Sequence, residues 1–323
     1  MSTATTAASG SSKSGAAPDA ARNTKLAQAG DWAKRAPLLP ALIFTIIVTQ
    51  LPFVATLVIS FMNWEALYPD ERGFAGLDNF IAVLTQPALR ASIINTIILT
   101  VSVVLVSLIL GLAIALLLDR TFLGRGVVRT LMIAPFLVVP VAAALLWKHA
   151  LFNPEYGLFN GLLNAVWGLF GSDNAPQPDW ISTAPKIAVE LALIWQWTPF
   201  MMLILLAGLQ GRPLDVIEAA RVDGASTLQI FRYITLPYMR QYIELATLPG
   251  SIYIVQNFDA VFTITSGGLG TANLPYTIYQ TFFTAQNYGQ ASAAGVVVVF
   301  GTIIIATFAL RTVSSLFREE SGR

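Results

Sequence analysis

Six apolar stretches, each close to the roughly 20 residues that a helix needs to cross a hydrocarbon core, constrain this chain more than any motif in it. They run at about 37 to 63, 91 to 118, 128 to 151, 186 to 210, 241 to 264 and 289 to 311. Inside a bilayer each backbone N–H and C=O must find its partner within the protein, so the expected fold is an all-α membrane protein with six transmembrane helices. Composition agrees: 55% of the residues are hydrophobic and 11% charged, against about 25% charged in a typical soluble domain. Pro52, Pro135, Pro140, Pro199 and Pro249 fall inside the stretches. Kinks are expected there, with the freed backbone groups satisfied by neighbouring helices or cavities.

Charge orients the spans by the positive-inside rule. Lys25, Lys34 and Arg35, then Arg120, Arg125 and Arg129, then Arg212, Arg221, Arg232 and Arg240, and finally Arg311, Arg318 and Arg323 all fall on one side. The opposite loops carry Glu65, Asp70, Glu71, Asp78, Glu155, Asp173 and Asp179, with Arg72 and Arg90 against them and Lys148 and Lys186 at helix ends. Both termini and the 211–240 loop are therefore expected in the cytoplasm. Residues 1–35, rich in Ala, Ser, Thr and Gly, read as a disordered cytoplasmic tail, residues 36–312 as the transmembrane domain and 313–323 as a second cytoplasmic tail. The first apolar stretch is too long for a signal core and has no obvious cleavage site, so it is expected to stay in the membrane. Trp64, Tyr68, Tyr156, Trp167, Trp180, Tyr276, Tyr279 and Tyr288 read as an interfacial aromatic belt. The run Leu158 to Phe170 is too short to span and is expected to lie along the surface.

Several chemistries are excluded or left unsupported. Net charge is +1 and the chain has no cysteine, so there is no basic footprint for nucleic acid, no disulfide and no thiol chemistry. His149 is the single histidine, beside Lys148, and reads as interfacial rather than as a metal ligand. No Gly-x-x-x-x-Gly-Lys-[Ser/Thr] phosphate loop, hydrolase triad or His-Glu-x-x-His occurs, so neither ATP hydrolysis nor other catalysis is expected from this polypeptide.

The polar segment from Glu218 to Pro237 lies between two apolar stretches. Asp215 with Glu218, and Ser226 with Gln229, each fit a capping box, so two short helices are expected to start there. Gly224 between them can end the first helix in a left-handed conformation, and Pro237 marks a boundary or kink. Glu218, Ala219, Ala220, Gly224, Ile234, Leu236 and Pro237 fill every fixed position of Glu-Ala-Ala, three residues, Gly, nine residues, Ile, one residue, Leu-Pro. That pattern resembles the EAA loop of permease subunits in binding-protein-dependent ABC importers.

The resemblance extends over essentially everything from residue 37 onward. Gly76-Leu77-Asp78-Asn79-Phe80, Asn95-Thr96, Ala134-Pro135-Phe136, Phe152-Asn153, Gly157, Thr198-Pro199-Phe200-Met201-Met202, Asn257-Phe258-Asp259 and the segment Thr265 to Gly270 follow the carbohydrate branch in order. Two positions depart from it. Tyr242 stands where many relatives have proline, and Gly267-Gly268-Leu269-Gly270 stands for Gly-Gly-Pro-Gly. Residues 273–280, with Trp147-Lys148-His149 and Tyr253-Ile254-Val255-Gln256-Asn257, look most like sorbitol and mannitol permeases.

The resemblance implies a type I ABC importer permease fold with cytoplasmic coupling helices in the EAA loop, in the bacterial inner membrane. It implies a second homologous permease, two ATPase subunits that bind ATP and Mg, a solute-binding protein and a small carbohydrate substrate, with no cofactor in this chain. Movement would be by alternating access, driven by the ATPase through the loop. By the same mapping, Gln196, Trp197 and Asn257, and less directly Phe136 and Leu137, would touch solute; if the partner permease holds the solute, these residues would only line the gate. From the residues alone, a site for a polyol or sugar needs amides or carboxylates beside aromatic rings, which Trp195, Gln196, Trp197, Gln256, Asn257 and Asp259 offer. Glu190, Glu244 and Asp259 inside expected spans are costly in lipid. For Glu190 and Glu244 the plain reading is a hydrogen-bonded helix contact or a span end. The competing functional readings are a secondary transporter with Glu190 or Asp259 as its proton or cation site, which no convincing internal repeat supports, and a non-transporting membrane enzyme or scaffold.

Overall fold

The computed structural model describes residues 36–171 and 175–318. The expected tail 1–35 and the last five residues of the second tail lie outside the described residues. The chain divides into two units, Met1–Ala55 and Thr56–Arg323.

In the first unit a 3₁₀ turn, Ala36–Leu38, leads into helix α1, Leu39–Ser60, whose last residues belong to the second unit. Thr45 and Thr49 donate their hydroxyls back to the carbonyls of Ala41 and Thr45, which satisfies these two polar groups within the helix.

The second unit continues with a two-stranded hairpin, β1 (Met62–Asn63) and β2 (Gly73–Phe74), paired antiparallel with Met62 opposite Phe74. Helices α2 (Asp78–Thr85) and α3 (Pro87–Asp119) follow, then α4 (Arg125–Leu137) and α5 (Pro140–Leu145), the last continuing as a π-helical turn, Leu146–Leu151. Next come α6 (Leu158–Leu169), α7 (Trp180–Thr183) and α8 (Pro185–Gln210). The loop holds α9 (Leu214–Val222) and α10 (Thr227–Ile230), with a π-helical turn, Phe231–Thr235, leading into α11 (Leu236–Val255). Helices α12 (Asp259–Thr265), α13 (Leu274–Tyr279) and α14 (Tyr288–Arg318) complete the unit.

By length and apolarity, four helices among the described residues can cross a membrane: α1, α3, α8 and residues Tyr288–Phe308 of α14. The bent pair 125–137 and 140–151 makes a fifth if counted as one span. The expected stretch 241 to 264 is not among them. Its helix α11 carries Arg240, Gln241 and Glu244, and stops at Val255 before a break at 256–258. The proline expectation is met at one place by a sharp bend: Val138 and Val139 are extended, Pro140 starts a new helix, and the two halves lie 98° apart.

The core forms where α3 and α8 pack side by side, joined by α11. Leu99, Val103 and Val104 meet Ala188, Val189, Ala192 and Leu193 in one cluster, and Ala115 and Leu118 meet Leu205, Leu206, Leu209 and Met239 in another. In lipid such contacts gain by close packing rather than by leaving water, so small residues mark the crossings. A Cβ on Gly111 would lie 2.9 Å from the Met202 backbone nitrogen, and one on Gly208 would lie 2.5 Å from the Tyr242 ring.

Several motif positions prove to be polar ties between segments. Asn79 donates to the Ser60 and Met62 carbonyls at 3.0 and 2.9 Å, stitching the hairpin to α2. Asn95 donates to the Gly270 and Ala272 carbonyls, each at 2.9 Å, and Thr96 accepts from the Leu274 N–H at 2.8 Å. The glycine-rich segment is thereby fixed to α3. The belt expectation fails for Tyr276, which is buried with its ring against Gly267 and Phe258. Trp180 is half-buried, with its indole N–H donated to Asn160 at 2.8 Å. Helix α6 forms as expected, and its Leu158, Leu162, Val166 and Leu169 are exposed.

Candidate functional site

Two concave regions hold the residues singled out by sequence. The first is a cavity of about 530 Å³ lined by Phe136, Val138, Pro140, Gln196, Trp197, Phe200, Tyr253, Gln256, Asn257 and Asp259. Each group reaches it because a helix is interrupted or crossed there. The bend at Val138 and Val139 presents Phe136 from the end of α4 and exposes the Val138 carbonyl, which accepts a hydrogen bond from the Gln196 side chain at 3.0 Å. The end of α11 at Val255 releases Gln256 and Asn257 into the break, and Asp259 opens α12. The Asn257 carboxamide oxygen accepts from the Ala260 N–H at 3.3 Å, and the Asn257 carbonyl accepts from Asn273, so the break is held by local hydrogen bonds.

Aromatic rings wall one side. Phe136 stacks on Phe200 at 5.3 Å between centroids and meets Trp197 edge-on at 5.7 Å, and Trp197 lies 5.5 Å from Tyr253. The lining also offers the Gln256 and Asn257 amides and the Asp259 carboxylate. Ring faces beside amide and carboxylate groups suit a polyhydroxylated molecule, whose C–H faces stack while its hydroxyls hydrogen-bond.

Six of the seven sequence-derived candidates thus come together: Phe136, Gln196, Trp197, Gln256, Asn257 and Asp259. Leu137 does not join them; it is 73% exposed and outside the cavity lining, because the helix ends there and its side chain points away. Trp195 is also directed elsewhere, into the packed cluster with Trp147. Tyr253 was not a candidate; it sits in the last turn of α11, just ahead of the break that carries Gln256 and Asn257. Val138 and Pro140 act through backbone shape, which no side-chain pattern signals. Glu190 accepts from Ser102 at 2.8 Å, a contact between α8 and α3, and Glu244 pairs with Arg240 on its own helix at 2.9 Å. Glu190 therefore has the contact to another helix of its plain reading, whereas the partner of Glu244 lies one turn away on the same helix.

The second region is the 211–240 loop. The Ser226–Gln229 capping box is present in both directions, at 2.7 and 3.4 Å. The Asp215–Glu218 box is not: Pro213 caps α9 and no side chain accepts there, since a proline ahead of the first turn sets the helical entry by itself. Gly224 has φ +84°, the left-handed value that a glycine adopts without strain. The second helix does not end before the next span. From Thr227 to Val255 the chain is helical throughout, with the Leu236 N–H reaching back to the Phe231 carbonyl across the π-turn. Pro237, which lacks an N–H, follows this wider turn. Glu218, Ala219 and Gly224 are exposed, Ala220, Ile234, Leu236 and Pro237 half-buried. Leu214, Val222, Leu228 and Tyr233 stand exposed beside them, an apolar surface on an otherwise charged loop. A cavity of about 590 Å³ lies between this loop and the end of α3, lined among others by Asp119, Arg120, Arg212, Glu218 and Arg221.

Comparison with known proteins covers nearly the whole described chain. Residues 39–318 match the family described as "Binding-protein-dependent transport system inner membrane component". The chain is 36% identical over 288 residues to "Probable ABC transporter permease protein y4oQ" of Sinorhizobium fredii, covering 88% of this chain and 89% of that one. It is 32% identical over 262 residues to "Trehalose/maltose transport system permease protein MalF" of Thermococcus litoralis, covering 80% and 86%. Among solved structures, a chain of a bacterial ABC transporter involved in import of the acidic polysaccharide alginate superposes with a TM-score of 0.75 at 22% identity, covering 91% of this chain and 99% of that one.

Proposed function

The chain belongs to the family of inner membrane components of binding-protein-dependent transport systems, and from that premise we propose that the cavity is its solute site and the 211–240 loop its contact with an ATPase. The chain has the type I ABC importer permease fold, is a multi-pass inner-membrane subunit of an ABC sugar importer, and is not itself an enzyme. The observation that carries the solute reading is the convergence of Gln196, Trp197, Gln256, Asn257 and Asp259, from two helices and a helix break, on one aromatic-walled cavity.

The partners are a second homologous permease, a pair of ATPase subunits that bind ATP and Mg, and a solute-binding protein; a bacterial alginate ABC transporter of similar fold is seen in complex with an alginate pentasaccharide-bound periplasmic protein. Both termini and the loop face the cytoplasm, the side on which ATP is available. ATP-driven closure of the ATPases displaces the loop and turns the cavity outward to receive solute; hydrolysis returns it inward. Only contacts that differ between the two states supply that coupling. The exposed Glu218 and the left-handed turn at Gly224 fit a surface that a partner grips.

The solute is a small carbohydrate. Residues 273–280 favour a sugar alcohol such as sorbitol or mannitol. A disaccharide is the second reading, favoured by the relative whose name specifies trehalose and maltose. Uptake of labelled sorbitol, mannitol, trehalose and maltose is the test, in cells lacking only this chain and in cells with it restored. Loss confined to hexitols supports the first reading and loss confined to disaccharides the second; unchanged uptake of all four overturns both.

A further inference from the structure

The loop is joined to the helices at two roots, and the joints differ. At its far root, α10, the π-turn and α11 form one helical stretch from Thr227 to Val255, so a displacement of the loop passes to α11 through covalent structure. At its near root α8 ends at Gln210, and the chain turns through Gly211, Arg212 and Pro213 before α9. No helix continues across this turn.

Side chains bridge it instead. The Arg212 guanidinium pairs with the carboxylate of Asp119, the last residue of α3, and its Nε donates to the Leu209 carbonyl at 2.8 Å. The two side chains are only 18% and 21% exposed, so solvent screens the pair less than an open surface bridge. It ties the turn at the near root to the end of α3, two segments far apart in the chain. Gly211 is held from the opposite side, its carbonyl accepting from the Tyr238 hydroxyl at 2.5 Å. Tyr242, which departs from the relatives' proline, packs its ring directly on Gly208.

We propose that the Asp119–Arg212 pair is the second output of the coupling loop: it ties the near root to the end of α3, so that loop displacement carries α3 along with α11. This rests on the coupling role proposed for the loop. Arg212 and Asp119 are positioning residues; neither needs to touch solute or nucleotide. The plain alternative is a pair that merely caps two helix ends, in which case α3 follows the loop with or without it.

The cysteine-free chain allows spin labels at chosen exposed positions. A pair at Leu123 and Leu228 spans the end of α3 and the loop, and a second pair at Leu162 and Leu228 reports whether the loop moves at all. The importer assembled with its partner subunits is measured by pulsed electron spin resonance, with and without ATP, Mg and vanadate. In the unaltered protein the Leu162–Leu228 distance should shift with nucleotide while the Leu123–Leu228 distance stays fixed. In Asp119→Asn the first shift should persist and the second distance should change as well. The swapped pair Asp119→Arg with Arg212→Asp should return it to a fixed value. A Leu123–Leu228 distance that stays fixed in Asp119→Asn overturns the inference and leaves the coupling role intact, whereas a loop that fails to move in the unaltered protein overturns the coupling role and the inference with it. If Asp119→Asn fails to assemble, the swapped pair decides: a fixed distance supports the inference, a changing one overturns it.

Discussion

The loop at 211–240 is a single stretch of chain, whereas the cavity draws on the end of α4, the middle of α8 and the break after α11. In the loop, each local feature has a cause within a few residues: a cap at Ser226, a left-handed turn at Gly224, a π-turn ahead of Pro237. In the cavity almost nothing is local. Gln196 donates to Val138 because a bend elsewhere frees that carbonyl. The loop's shape is thus set by its own neighbouring residues, and the cavity's by how the helices around it are placed.

That contrast predicts a clean separation of kinetic effects. The largest belongs to Gly224→Val. A left-handed backbone costs an ordinary residue about 1–2 kcal/mol and a β-branched one more. Since nothing lies within 4 Å of a Cβ there, the damage is to the loop's shape and not to packing. Maximal uptake should fall about tenfold or more with the apparent solute affinity unchanged. A rise in KM at unchanged maximal rate would break the division between loop and cavity.

Trp197→Ala should do the converse. It removes the ring that touches Phe136, Phe200 and Tyr253, and with it about 1–2 kcal/mol of stacking, so KM should rise about tenfold while ATP hydrolysis stays coupled to uptake. Purified protein in detergent or nanodiscs, titrated with the transported sugar, separates this from misfolding. Binding that stays intact would remove Trp197 from the solute site.

Smaller effects test the caps themselves. Ser226→Ala deletes one half of the capping box and should cost about 1 kcal/mol of local stability. Hydrogen exchange at Gln229, whose N–H bonds to the Ser226 hydroxyl, should speed by about fivefold with uptake only mildly slowed. Exchange rates equal to those of the unaltered loop would show that α10 is held by its continuity with α11 and not by its cap.

The same contrast explains what could be read in advance. Apolar length marks the spans where a helix is uniformly apolar, as in α3 and α8, but does not show that within 241 to 264 the helix stops at Val255 and a new one starts at Asp259. The Ser226 box was legible because both partners sit three residues apart; the Asp215 box had the same spacing and failed because Pro213 already starts the helix. Gln196, Trp197 and Asn257 were found through resemblance and amide chemistry, but nothing local indicates that Leu137 turns away while its neighbour Phe136 turns in. The relatives' proline at 269 is a further example. Leu269 here has φ +54°, a value that proline's ring forbids, so this turn takes a shape its relatives' pattern does not specify.

Asp179 gives the smallest effect and extends the argument about local caps to the opposite loops. Its carboxylate accepts from the Ser182 hydroxyl at 2.5 Å and from the Ser182 and Ile181 N–H groups at 3.1 Å each. These bonds, the Ser182 hydroxyl foremost, hold its pKa below the ordinary carboxylate value, against a slight opposing effect of burial. A depressed folded pKa means stabilisation that is complete above about pH 4 and is lost as pH falls through the lowered value. Protection of the Ile181 and Ser182 amides, corrected for intrinsic exchange, should therefore decline as the pH falls below about 4, whereas Asp179→Ala should show weak protection throughout. The side chain is exposed, so the change should be confined to α7 and leave uptake at neutral pH untouched. A matching decline in the alanine variant would assign the acid effect to other carboxylates and leave Ser226 as the cap on which the comparison rests.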